Sequence, residues 1–184
     1  MKRNQRLAAL AAAVVATAGL STACMGATMR DAEMPACSGD RVDALILVAQ
    51  AVPTAESIPC LAGYPAGWTF GSVEVRDGHA RFTLDSDRGG SDALEVTLAA
   101  RCDVTNATEV PSDEPGTVRY DRISRAESDL QTVRSYRFPG GCVNYRFDMD
   151  RPTPALVDEA SAAVSFLTRY EVNARADAQE KRNG

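Results

Sequence analysis

The sequence predicts an α+β domain: an antiparallel sheet of five or six strands, with a C-terminal helix packed on one face and a shorter N-terminal helix. Three observations carry this. Alternating apolar residues flank Asp77-Gly78, a second alternating pair flanks Pro139-Gly140-Gly141, and an apolar stripe at helical spacing follows Thr153-Pro154.

Taken in chain order, Val42, Leu45, Ile46 and Ala49 recur at i, i+3, i+4 and i+7, with Ser38 or Asp40 placed to cap the helix and Pro53 to end it. Leu47 and Val48 fall off that face, so the segment is a helix buried on most sides or a buried strand. Residues 53–68 carry Pro53, Pro59, Gly63, Pro65 and Gly67 and read as an irregular crossing. From Phe70 to Leu84 a hairpin turns at Asp77-Gly78, since a type I′ turn needs positive φ at both central residues. That turn sets Val75 opposite Ala80 and Val73 opposite Phe82 on one face, and Glu74 opposite Arg81 on the other.

After a polar loop at 85–92, Leu94, Val96, Leu98, Ala100 and Cys102 alternate as a third strand with Cys102 on the core side. Residues 106–131 are polar and hold Pro111, Pro115 and Gly116; least order is expected there, with a short strand at Val118–Tyr120 at most. Val133–Phe138 and Val143–Met149 form the second hairpin, with Val143, Tyr145 and Phe147 turned inward. Thr153 then caps a helix that has Pro154 at its first position and Asp158 and Glu159 near its positive end. Its stripe is Leu156, Ala160, Ala163, Leu167, Tyr170 and Ala174.

The first 24 residues have a different character. Lys2, Arg3 and Arg6 precede an apolar run from Leu7 to Leu20, and no acidic residue occurs before Asp31. This is the pattern of a secretory signal, and even extended to Ala23 the run is short for a membrane crossing of about 20 residues. Ser21-Thr22-Ala23-Cys24 resembles the lipobox of bacterial lipoproteins, where an aliphatic residue and two small ones precede a cysteine that receives a diacylglycerol. Ser21 stands here at the aliphatic place, with Leu20 one step further out. Ser21-x-Ala23 also fits an ordinary cleavage site, after which the protein would be secreted.

The organisation expected is a signal peptide at 1–23, a lipidated Cys24 with a tether to residue 36, one domain at 37–176 and a polar tail at 177–184. With the many Ala residues and a strong preference for Arg over Lys, the chain resembles the many uncharacterised lipoproteins of high-GC Gram-positive bacteria. The resemblance implies anchorage by acyl chains such as palmitate on the extracytoplasmic face of the cell membrane, and it carries over no ligand and no catalytic residue.

Cysteine usage agrees. Five cysteines stand at 24, 37, 60, 102 and 142, and lipidation of Cys24 leaves four to pair. Cys37 with Cys60 and Cys102 with Cys142 crosses the fewest segments of the three pairings, as suits an exported domain in an oxidising compartment. No Cys-x-x-Cys occurs, so disulfides are expected in place of a metal, and no cofactor is expected. Without residues 1–23 the chain has 17 basic and 25 acidic residues, a net charge of −8, which disfavours nucleic acid and anionic lipid as electrostatic partners.

Catalytic equipment is sparse. His79 follows the hairpin turn, Lys181 is the one lysine after the signal segment, and no Gly-x-Ser-x-Gly, His-Glu-x-x-His or Gly-x-Gly-x-x-Gly is present. Asp85 to Asp92 has the look of a calcium loop, but that register puts Val96 where the closing Glu belongs. Tyr64 and Trp68 are the candidate binding residues: an exposed pair could stack on glycan rings or a partner's side chain, while the competing reading makes Trp68 a lid on the core. The function expected is a non-catalytic, membrane-anchored envelope domain that binds a protein, lipid or glycan partner; the alternative is a carboxylate-dependent hydrolase acting on envelope glycans.

Overall fold

The computed structural model describes residues 27–29, 33–126, 129–149 and 151–184. Cys24 and the signal segment before it lie outside the described residues. The fold is α+β, built on a mostly antiparallel pair of sheets and three helices.

Its centre is the hairpin of β3 (Trp68–Arg76) and β4 (His79–Ser86), in the register the Asp77-Gly78 turn predicts: Val75 faces Ala80, Val73 faces Phe82 and Glu74 faces Arg81. Gly78 takes a φ of +77°, which a Cβ would strain, but Asp77 does not take a positive φ, so the turn is not the type I′ expected although it sets the expected register. Beside β4 lies β5 (Gly90–Ala99), then β9 (Gly141–Phe147), β8 (Asp129–Phe138), β7 (Val118–Ala126) and β6 (Thr108–Val110). On the other edge the three-residue β1 (Ala27–Met29) pairs with β3. The sheet therefore has eight strands where five or six were expected.

The strands beyond the expected set are β1, from the expected tether, and β6 with the full length of β7, from the stretch that reads as least ordered. In β7 both faces are polar, with Arg119 and Asp121 on one side and Tyr120 and Arg122 on the other, so no apolar alternation marks it. Its pairing with β8 rests on backbone hydrogen bonds and cross-strand polar contacts. The third strand also ends early, at Ala99, so Cys102 sits in the following loop and Ala100 is exposed. Two residues, Pro139-Gly140, close the second hairpin and leave Phe138 opposite Gly141.

One face of the large sheet is apolar. Val73, Phe82, Leu84, Leu94, Val96, Leu98, Val143, Tyr145 and Phe147 are all buried there, as their alternation predicts. Over them close α1 (Asp43–Ala51), a small sheet of β2 (Ser57–Leu61) and β10 (Val164–Thr168), α2 (Pro154–Ala162) and α3 (Arg169–Asn183). Leu45, Val48, Ile58, Leu156, Ala160, Val164 and Val172 complete this cluster. Each large side chain buried this way contributes roughly 1.5 to 3 kcal/mol before entropy is counted.

The C-terminal helix expected from Thr153 onward is two helices with a strand between them. Thr153 does cap α2, its hydroxyl accepting from the Leu156 N–H, with Pro154 at the first position. Val164-Ser165-Phe166-Leu167 is rich in β-branched and large apolar side chains, however, and pairs residue for residue with Leu61 back to Ile58. That partner strand lies in the segment expected to be irregular. Thr168 then ends β10 and caps α3 in a capping box with Glu171. A stripe drawn straight through this break places Tyr170 and Ala174 on the wrong face, and both are exposed.

The predicted polar tail is structural as well. Residues 177–183 continue α3, which runs antiparallel to α1 and serves both of its ends. Neither Ser38 nor Asp40 caps α1; the Val42 N–H donates to Gln179 Oε1 at 3.0 Å, and Gln179 Nε2 donates to Asp43 Oδ1 at 2.7 Å. At the other end Arg169 donates to the carbonyls of Ala49, Val52 and Ala55 at 3.0, 2.7 and 2.6 Å. Ten residues of helix span about 15 Å, enough to bracket the nine residues of α1.

Both disulfides follow the sequential pairing. Cys37 and Cys60 have Cα atoms 5.0 Å apart, and those of Cys102 and Cys142 are 5.7 Å apart. Near the first bridge the Cys37 N–H donates to the Leu61 carbonyl and the Leu61 N–H to that of Pro35. The domain thus begins before residue 37, and the segment expected to be a plain tether contributes β1 and this short pairing.

Candidate functional site

The two residues singled out for binding part company. Trp68 is 3% exposed, and its indole N–H donates to Glu159 Oε1 at 3.0 Å, so it serves as the lid on the core and no exposed Tyr64–Trp68 pair exists. Glu159 is shared with Arg88, whose guanidinium, together with burial's smaller opposing effect, leaves the carboxyl below its ordinary pKa. Tyr64 is 41% exposed and its hydroxyl lies 2.6 Å from Met34 Sδ, beside another exposed apolar residue, Met34 itself.

A ladder of charge lies on the sheet face away from the core. Arg81 reaches Glu74 at 2.8 Å and Glu95 at 2.9 Å, while Arg146 reaches Glu95 at 3.1 Å and Asp148 at 2.8 Å. Arg76 also pairs with Glu74, which is only 8% exposed. The register puts these side chains together: Glu74 faces Arg81 across β3 and β4, Glu95 faces Arg146 across β5 and β9, and Arg81 meets Glu95 diagonally, since Arg81 itself faces Thr97 and Glu95 faces Thr83. Burial pushes the Glu95 carboxyl up, but hydrogen bonds from Arg146 and Arg81 outweigh it and hold the group below the usual carboxylate range. Carboxylates fixed between two guanidinium groups are structural and poor proton carriers.

The densest polar chemistry sits on the core side, where β7 and β8 extend beyond the apolar cluster. Arg119 grips Asp121 with Nε at 3.0 Å and Nη2 at 2.6 Å, and lies 3.5 Å from Asp113. Tyr136 donates its hydroxyl to Asp113 at 2.9 Å. Arg134, 6% exposed, donates to Ser161 Oγ at 2.8 Å, stacks near the Phe147 ring and stands 3.4 Å from Asp121 without a hydrogen bond from its Nε. Tyr145 packs against Tyr136 with ring centres 5.1 Å apart, and its hydroxyl has no partner among the described residues. Burial pushes both phenols up, so they stay protonated.

Glu114 is the acid–base group of this cluster. Burial, followed by the charge of Asp113, pushes its carboxyl up to about 7 against a smaller opposing pull from the Phe166 backbone of β10. Ser161, held by Arg134, gives its proton to the Val157 carbonyl and accepts from that guanidinium, which leaves its oxygen without a base and unsuited to nucleophilic attack. His79 stands on the other face of the sheet, at the β3–β4 turn, opposite Arg76. The cluster can hold a proton near neutral pH, yet it joins that proton to no nucleophile.

Sequence reasoning passed over Asp113, Glu114, Arg134 and Tyr136. One signal was available: Arg134 and Tyr136 lie in phase with Phe138 on β8, opposite the inward-turned Tyr145 and Val143 of β9, which puts a charged residue at a core-facing position. Asp85, singled out for a calcium loop, accepts the Asp92 N–H at 2.7 Å, and Asp87 pairs with Arg88. Among the described residues no group of three or more His, Cys, Asp or Glu side chains is disposed to hold a metal. Comparison with known protein families, with curated proteins and with solved structures found no match.

Proposed function

We propose that this chain is an extracytoplasmic lipoprotein, anchored through an acylated Cys24, whose folded part binds a protein, lipid or glycan partner in the cell envelope and performs no chemistry on it. The observation that carries the reading is the cysteine count: four of five pair in the fold, and the fifth follows an apolar segment with a basic start. A binding role is supported by how the charged groups are used. Arginine forks hold Glu74, Glu95, Asp121 and Glu159 in place, so these carboxylates are committed to ion pairs that shape the surface.

Cell fractionation tests the anchor. The wild-type chain should sediment with membranes, whereas Cys24→Ser should be retained as precursor or released, with its melting unchanged. Wild-type chain that sediments with membranes but carries no acyl mass at Cys24 would refute lipid anchoring. The alternative, a carboxylate-dependent hydrolase of envelope glycans, draws on Glu114 with Asp113 beside it. Glycan cleavage that Glu114→Gln abolishes would favour that reading.

A further inference from the structure

Among the described residues most arginines are committed, either to carboxylates, as with Arg81, Arg88 and Arg119, or to backbone carbonyls, as with Arg169, Arg175 and Arg182. Among the described residues Arg101, Arg137 and Arg151 make neither an ion pair nor a side-chain hydrogen bond. Two of these three line one recess of about 580 Å³, within the roughly 300 to 1,000 Å³ usual for small-molecule sites.

The recess is built by the second disulfide. Arg137 and Cys142 are direct cross-strand partners on β8 and β9, Cys142 is bonded to Cys102, and Arg101 precedes Cys102. The bridge therefore brings the loop that carries Arg101 to the strand pair that carries Arg137. Across the opening, the Thr54 hydroxyl donates to the Gly140 carbonyl at 2.6 Å. A Cβ at Gly140 would fall 1.7 Å from the Thr54 carbonyl oxygen, so this wall is packed tight against the turn. Phe138 supplies an apolar flank. The Arg137 guanidinium rests 6.0 Å from the centre of the Tyr120 ring, a contact that fixes its position and leaves its N–H donors unused.

The recess is lined by two like charges and by no acidic residue, and an anion bound there would supply the missing counter-charge. One fork satisfies a carboxylate, whereas two arginines lining the same recess match the several oxygens and the greater charge of a phosphoryl group. We infer that the recess between Arg101 and Arg137 binds an organic phosphate, its phosphoryl oxygens held by the two guanidinium groups and its organic part laid against Phe138 and the Cys102–Cys142 bridge. The phosphoryl group belongs to a phospholipid headgroup or to a soluble phosphate ester. The inference gives the binding role above a ligand class and rests on it, but fractionation of Cys24→Ser and titration of the recess can fail separately.

The test is titration of the full chain, disulfides formed, with phenyl phosphate and with phosphatidylcholine vesicles containing phosphatidylglycerol. Saturable binding of at least one probe is expected, tightest for the true source, with a Kd of about 1 mM or lower for phenyl phosphate if the ester is soluble. Arg101→Gln and Arg137→Gln should each weaken it about tenfold, the loss of a charge-assisted contact, and Arg151→Gln should leave it unchanged. Binding by vesicles alone assigns the headgroup, and binding by phenyl phosphate alone assigns the soluble ester. Absence of binding by both probes overturns the inference, as does binding that Arg101→Gln and Arg137→Gln leave intact, or that Arg151→Gln weakens equally.

Discussion

Replacing Arg169 by Met should destabilise the domain more than any other single change to a partly exposed residue of its helices. The guanidinium makes three hydrogen bonds, to the carbonyls of Ala49, Val52 and Ala55, at the end of α1 where backbone acceptors have no partner within the helix. Burial lowers the pKa of Arg169, and no carboxylate among the described residues compensates, so the carbonyl dipoles themselves are its counter-charge. Hydrogen bonds to a charged group are worth about 1.5 to 3 kcal/mol each, but the side chain is half-exposed and water replaces part of what is lost. The three together come to about 3 kcal/mol. At about 2 to 4 °C per kcal/mol for a chain of this size, Arg169→Met should melt about 6 to 12 °C lower. Thermal unfolding followed by circular dichroism, with urea midpoints alongside, measures this. Arg169→Lys should recover less than half the loss, because an ammonium cannot reach three carbonyls in one plane. Melting of Arg169→Met within about 1 °C of wild type would refute the idea that α3 staples α1.

Deleting residues 177–184 removes Gln179 from the first turn of α1 and Arg182 from the Asp40 carbonyl, and should cost about 1 to 2 kcal/mol in urea denaturation, where a merely solvated tail would cost nothing. Glu114 keeps its proton in the folded chain up to about 7 while the unfolded chain releases it near 4.5, so stability falls as pH rises between those values; full burial would make this about 3 kcal/mol, and its half-exposure reduces it to about 1. Glu114→Gln should be more stable than wild type at pH 8 by that amount and show a flatter profile, and parallel profiles would remove the assignment. The double change Cys102→Ser/Cys142→Ser opens a closure with a sequence separation of 40, worth about 4 kcal/mol by chain entropy, and equal melting with and without reductant would deny the bridge a stabilising role.

How far the fold could be read from the chain differs by element, for physical reasons. Asp77-Gly78 dictates a turn that no other pair serves as well, and the register of Val73, Glu74 and Val75 follows from it with no tertiary information. The inner faces of β5 and β9 are equally legible, because burial on one side writes a period of two. By contrast β7 has polar residues on both faces, and β2 contains Pro59, so neither announces a strand. The break at Val164–Thr168 was hidden by an accident of spacing: Ala163, Leu167, Tyr170 and Ala174 keep helical intervals across it. Thr168-x-x-Glu171 is a capping box and marks a helix start in mid-run. At the candidate site, Tyr64 is exposed as a binding residue must be, while the burial of Trp68 depends on Glu159, a partner 91 positions away. The joining of Arg101 to Arg137 likewise needs a disulfide and a strand pairing to be known together.

The central claim is an anchored, disulfide-braced domain outside the cytoplasm, and intact mass of the protein extracted from membranes tests it most directly. A chain beginning at Cys24, heavier by its acyl chains and lighter by the four hydrogens of two disulfides, is the expected species. A chain beginning at Met1 with no added mass and all five thiols reduced would contradict the account.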